Sequence, residues 1–136
     1  EPRLDAPSLP RPCCLPRNLT DEQLRALAKN GGVAQLCLLD AYINKNPKAA
    51  SVCDAAEHLD HMIKVAGIDH VGIGTDFDGG GGLQGCNGDN DLINLTIKMI
   101  EKGYTEEDLR KIWGGNLLRV MKQVQEAPLL SSKKRR

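Results

Sequence analysis

The period of apolar positions changes several times along the chain, and each change marks an element. Leu24, Leu27 and Ala28 recur at helical spacing behind a capping-box pair, Thr20 and Gln23, and Gly31-Gly32 stop the run. "VAQLCLL", Val33 to Leu39, is a nearly continuous apolar stretch, which suits a buried parallel strand. A polar loop around Asn44 to Lys48 follows. From Ser51 to Ala66, the residues Ala55, Leu59, Met62, Ile63 and Ala66 share one helical face, and Gly67 closes that helix. His70 to Thr75 reads as a second strand, with Val71 and Ile73 as its branched apolar residues. Beyond a glycine-rich loop, Asp91 to Lys102 predicts a helix that ends at Gly103. Thr105 and Asp108 cap the next helix, which runs to Trp113, pauses at Gly114-Gly115 and resumes as "NLLRVMKQVQ". Strands alternating with helices predict parallel βα units and an α/β class. A parallel sheet needs several neighbouring strands and two covered faces, so two strands predict a piece of a larger α/β sheet or barrel.

The two ends show no such period. Residues 1–16 are rich in proline and read as an irregular arm, and residues 127–136 read as a polar, basic tail. Aromatic residues are so few (one Trp, two Tyr, one Phe) that any core must be aliphatic. The 18 basic and 18 acidic residues cancel, so nothing points to a polyanionic partner, and no nucleic acid is expected. "KKRR" at 133–136 reads as a solvated tail. No apolar run approaches the roughly 20 residues of a membrane-spanning helix. The first residue is Glu1, as expected of a processed or partial polypeptide, so a missing leader says little about compartment. The five cysteines are odd in number and show no C-x-x-C spacing, which favours reduced thiols. Adjacent thiols at Cys13 and Cys14 cannot alone complete a tetrahedral metal shell.

Candidate chemistry concentrates in "GIDHVGIGTDFDGGGGLQG", Gly67 to Gly85. Ligands of parallel α/β folds gather beyond the carboxyl ends of the strands, where Asp76 and Asp78 fall. On an extended chain residues i and i+2 share a side, so the pair could hold a metal or divide acid and base work. An aspartate after a strand equally serves as a helix cap or an Asx-turn. The glycines allow sharp turns and close approach of a ligand to the main chain. A calcium loop starting at Asp76 fails, because its fifth and twelfth positions hold Gly80 and Asn87. A P-loop fails because Gly82 is followed by Leu83-Gln84, and a dinucleotide fingerprint fails because the next helix starts too late. His58 and His61, three apart on a helix, could pinch a metal but read better as a solvated helix face. His70 opens its strand at the end opposite the aspartates and reads as structural.

"PRNLTDEQLRALAKNGG", "HLDHMIKVAGIDHVGIGTDFDG" and "GYTEEDLRKIWGGNLLRVMKQVQ" strongly resemble the C-terminal part of the membrane (renal-type) dipeptidases, over about residues 16 to 125. The resemblance implies the C-terminal part of an amidohydrolase-like TIM barrel, here an incomplete barrel at residues 17–126. It implies hydrolysis of dipeptides by a hydroxide bridging two zinc ions. The first aspartate of "DFDG" matches Asp76, which the resemblance makes catalytic: it would handle the proton and bind the substrate's amino end. The arginine of the "RN" pair matches Arg17, which would clamp the substrate carboxylate through a bidentate guanidinium contact. From its residue type alone, Arg17 is a solvated loop cation.

The departures are equally specific. A zinc-binding histidine of the family lies eleven residues before that arginine, where this chain has Ala6. "EPRLDAPSLPRPCCLP" resembles nothing in the family and reads as a replaced end or sequence from another frame. The remaining zinc ligands belong to earlier strands, so no zinc ligand transfers to this sequence. The expectation is therefore a fragment of a zinc dipeptidase, lacking the N-terminal barrel portion, poorly stable and inactive alone. Family members are exported in many cases and some are lipid-anchored; compartment stays open, and a homo-oligomer is possible. The alternatives are a non-catalytic truncated remnant and a small-ligand-binding module built on the glycine loop.

Overall fold

The computed structural model describes residues 15–127. Ala6, Cys13-Cys14 and the "KKRR" tail therefore lie outside the described residues. Two parallel strands, β1 (Ala34–Cys37) and β2 (Val71–Thr75), form the sheet. Among the described residues six α-helices accompany it: α1 (Asp21–Lys29), α2 (Asp40–Ile43), α3 (Val52–Ala66), α4 (Leu92–Glu101), α5 (Glu106–Arg110) and α6 (Asn116–Glu126). Both expected strands are shorter than their apolar runs. Leu38 still donates to the Thr75 carbonyl at 2.8 Å, and Leu39 bridges to Gly82, so pairing continues irregularly past β1. Helix α2 was not legible as an element; it fills the residues between the first apolar run and the expected loop at Asn44 to Lys48.

Local chemistry explains the helix starts. Thr20, Ser51 and Thr105 each complete a capping box, with Gln23, Asp54 and Asp108 as the reciprocal partners. The expected pause is present: Gly114 leaves helical geometry, with φ 167° and ψ −26°. Helix α5 ends at Arg110 and the chain makes one wide π-type turn over Lys111–Gly115 before α6.

The core is aliphatic, as the shortage of aromatics required: Leu24, Leu36, Leu38, Leu59, Val71, Leu95 and Ile112 are all buried. Truncating a fully buried leucine such as Leu59 removes about 2–5 kcal/mol. The amino end of the sheet is closed by polar side chains on main-chain carbonyls. Buried Asn116 donates through Nδ2 to the carbonyls of Ile68 and Val71, at 2.7 and 2.8 Å. Arg119 donates to the carbonyls of Gly31 (3.1 Å) and Asp69 (2.8 Å). His70 Nδ1 donates to the Gly32 carbonyl at 2.8 Å, the structural role expected of it. These clamps leave the carboxyl end free for chemistry. Among the described residues β1 pairs along one edge only, and no helix is long and apolar enough to cross a membrane.

Candidate active site

The chain turns sharply where β2 ends. Thr75 and Asp76 have φ of 49° and 72°, in the left-handed region that a β-branched residue rarely enters. A single 3-10 turn, Phe77–Gly79, follows. The alternation expected to align Asp76 with Asp78 therefore stops at Thr75, and strand geometry does not pair them. Both side chains are exposed. It is Asp76 that reaches back to the sheet, where its Oδ2 accepts a hydrogen bond from Cys37 Sγ at 3.5 Å.

The glycines form a clasp around Asp76. The amides of Gly79 and Gly81 both donate to the Asp76 carbonyl, at 3.0 and 2.7 Å. Gly80 donates to Phe77, and Gly82 to Leu38 at 2.9 Å. A Cβ on Gly79 would lie 2.3 Å from Asp76 Oδ1, and one on Gly81 would lie 2.6 Å from the Asp76 carbonyl oxygen. At Gly81 the clash is with main-chain atoms that cannot swing aside, while at Gly79 the Asp76 carboxylate would have to move. Because these amides already serve the chain's own carbonyls, the loop is built to hold Asp76 and not to cradle an anion. Its far end is tied down as well: Gln84 donates to the Ala50 carbonyl at 3.0 Å and accepts from Val52 at 2.9 Å.

A cavity of about 360 Å³ lies against β1, with Arg17, Asn18, Cys37, Tyr42, His58 and Met62 among its lining residues. The Arg17 guanidinium lies over the Tyr42 ring, 5.5 Å from its centroid, and is exposed. Asn18 Nδ2 donates to the Tyr42 carbonyl at 2.8 Å, joining the "RN" pair to α2. Cys37 links the two candidates, since it walls the cavity with Arg17 and touches Asp76. Neither Cys37 nor Tyr42 was marked by the sequence. The first looked like one more residue of an apolar strand, and the second sits on a helix too short to show a period. Burial raises the Cys37 thiol pKa, against the lowering effect of a hydrogen bond from the Leu39 backbone; Asp76 raises it further.

The histidine pair is not a solvated face. His58 is 6% exposed, lines the cavity, and its Nδ1 has no hydrogen-bond partner among the described residues. Desolvation, helped by nearby His61, lowers its pKa from 6.5 to about 4, so it is neutral at pH 7. His61 instead pairs across to α1, with Nε2 at 2.7 Å from Asp21 Oδ1. The two rings thus serve helix packing, and periodicity missed this because the apolar face of α3 is wider than its aliphatic stripe.

A pH dependence follows from His58. The unfolded chain binds the proton at a pKa near 6.5 and the folded chain near 4. Stability is therefore intact above about pH 6.5 and falls as pH drops toward 4, by about 3 kcal/mol from this residue. Urea unfolding of the chain and of His58→Met at pH 7 and pH 4.5 checks this. The variant should lose less stability on acidification, and parallel losses would refute the assignment.

Among the described residues no group of three or more His, Cys, Asp or Glu side chains could hold a metal ion. The described residues therefore do not fit a zinc centre by themselves.

The model of the family described as membrane dipeptidase (peptidase family M19) matches residues 5–135. The chain belongs to the membrane dipeptidase family. The match takes in part of the N-terminal arm and most of the basic tail. The dipeptidase ataJ of Aspergillus terreus is 40% identical over 115 residues, which are 82% of this chain and 28% of that relative. Among solved structures, a metallo peptidase of Rhodobacter sphaeroides liganded with a phosphinate mimic of the dipeptide L-Ala-D-Ala is similar. It has a TM-score of 0.73 and 32% identity, covering 78% of this chain and 31% of that one. The dipeptidase AC, a metallo peptidase of family M19, has a TM-score of 0.76 and 32% identity, covering 82% and 33%. The chain thus shares the α/β architecture of M19 dipeptidases while spanning under a third of the length of the curated relative.

Proposed function

We propose that residues 17–126 are the C-terminal part of an amidohydrolase-like TIM barrel and supply the substrate-facing edge of a zinc-dependent dipeptidase. The observation that carries this reading is the placement of Asp76. An exposed carboxylate stands at the carboxyl end of a parallel strand, held there by a glycine clasp and beside a cavity that holds Arg17. Family membership and a relative liganded with a dipeptide mimic point to a dipeptide as substrate.

In this reading Asp76 binds the substrate's ammonium group and takes up and returns the proton exchanged during hydrolysis. Arg17 donates paired N–H bonds to the free carboxylate, with the Tyr42 ring steadying the guanidinium plane. A metal would supply activation of the attacking water, and its ligands would come from parts of the barrel outside the described residues. The open edge of β1 supports the need for further strands. The isolated chain is accordingly inactive.

The test compares the chain alone with a hybrid in which residues 17–126 replace the matching segment of the ataJ dipeptidase. With added zinc, the chain alone should not cleave a dipeptide such as Ala-Ala, and the hybrid should. In the hybrid, Arg17→Ala should raise KM about 10- to 100-fold, the scale of a lost charged hydrogen-bond pair. Turnover by the isolated chain, or an unchanged KM in the variant, would overturn the proposal. An inactive hybrid that still folds would favour the non-catalytic remnant. Dipeptide binding by the isolated chain in a calorimeter would favour a binding module.

A further inference from the structure

We infer that Cys37 is a positioning residue for Asp76: its thiol, aimed by a bulge in the sheet, orients the carboxylate toward the substrate. The inference rests on the catalytic reading of Asp76 given above.

Three observations carry it. The first is register. Ala34, Gln35 and Leu36 face Val71, Gly72 and Ile73 in regular parallel order, but Cys37 faces Thr75. The sheet skips Gly74 at that point. A bulge of this kind re-aims a side chain, and here it brings the Cys37 thiol beside the residue that follows β2. Gly74 accommodates the slip because it carries no side chain: a Cβ there would lie 3.1 Å from the Gln35 Cβ.

The second is contact. Cys37 Sγ lies 3.5 Å from Asp76 Oδ2, across 39 residues of sequence. A carboxylate only accepts, so the thiol donates. Half-burial keeps that thiol in its protonated, donating form at neutral pH.

The third is the freedom that Asp76 would otherwise have. The glycine clasp holds Asp76 by its main chain: the two closest amides bind its carbonyl oxygen and not its carboxylate. Gly79 leaves the space beside Oδ1 open. The backbone is thus fixed while the exposed carboxylate could still rotate, and the Cys37 side chain donates to it. A weak S–H bond suits this place. It selects a rotamer without placing a positive charge beside the carboxylate.

The test has two independent arms. In the full chain, alkylation of Cys37 by iodoacetamide is followed at peptide resolution by mass spectrometry, at pH 7 and again in urea. Removing the neighbouring negative charge in Asp76→Asn should speed alkylation of native Cys37 about fivefold, with equal rates for both proteins in urea. Asp76→Ala serves as a second variant should the first fail to fold. In the hybrid enzyme, Cys37→Ala should lower kcat about tenfold with little change in KM, and Cys37→Ser, which keeps a donor, should recover most of the loss. A merely structural cysteine would show no such rescue. Native alkylation rates that ignore Asp76, or wild-type kcat in Cys37→Ala, would overturn the inference. Full activity of Asp76→Asn in the hybrid would overturn the catalytic reading of Asp76, and positioning with it, while the alkylation arm would still report the contact. The two failures are therefore distinguishable.

Discussion

Asp76→Asn in the hybrid enzyme is expected to lower kcat by about 10²- to 10⁴-fold, the usual contribution of a positioned general acid or base. That loss corresponds to about 3–5 kcal/mol of transition-state stabilisation. The substitution is nearly isosteric, and the clasp survives it, because Gly79 and Gly81 bind the main-chain carbonyl of residue 76. An asparagine oxygen can still accept from Cys37, so the thermal unfolding midpoint should be unchanged. A fall in kcat with an unaltered midpoint isolates the chemistry of the carboxylate from its role in folding. Steady-state kinetics on a dipeptide, beside a calorimetric scan of each protein, make the comparison. A kcat within about threefold of the parent would leave Asp76 as a turn residue and nothing more.

Gly81→Ala attacks the same site from the backbone. The new Cβ would sit 2.6 Å from the Asp76 carbonyl oxygen and 2.8 Å from that of Thr75, and both are main-chain atoms of a strained turn. Neither can swing aside as a flexible side chain would. The clasp must open, which costs about 3 kcal/mol on the scale of an overpacked site and frees Asp76 from its left-handed conformation. The hybrid should lose stability and, at a temperature where it remains folded, at least about 100-fold in kcat. Gly88→Ala is the matched control. Nothing lies within 4 Å of its Cβ, and its backbone is extended at φ −177°. It should behave like the parent. Equal behaviour of the two alanine variants would show that the loop holds Asp76 loosely.

Much of the fold was legible because it depends on neighbours in sequence. The capping patterns at Thr20 and Thr105 are local hydrogen-bond patterns, and each starts a helix in the structure, while the box at Ser51 emerged only there. The two apolar runs became parallel strands for the same reason. Asp76 was legible too, as a carboxylate following a strand. Its supposed partner was misread, since the alternation that would align Asp78 assumes an extended chain, and the backbone turns left-handed at Thr75. Arg17 had no signal of its own and was reached only through resemblance. Its place on the Tyr42 ring depends on α2, which is four residues long and leaves no period to detect.

What the sequence determined by itself is the order of elements, the aliphatic core and the aspartate at the strand end, because caps, periodicity and glycine stops act within a few residues. Only the tertiary structure decided that Cys37 meets Asp76, that His58 is buried without a partner for Nδ1 among the described residues, and that Gly79 and Gly81 close on the Asp76 carbonyl instead of on a ligand. Each of these joins residues through a register slip, a helix face or a reversed turn. Such contacts depend on the relative placement of distant segments, which one-dimensional spacing does not encode.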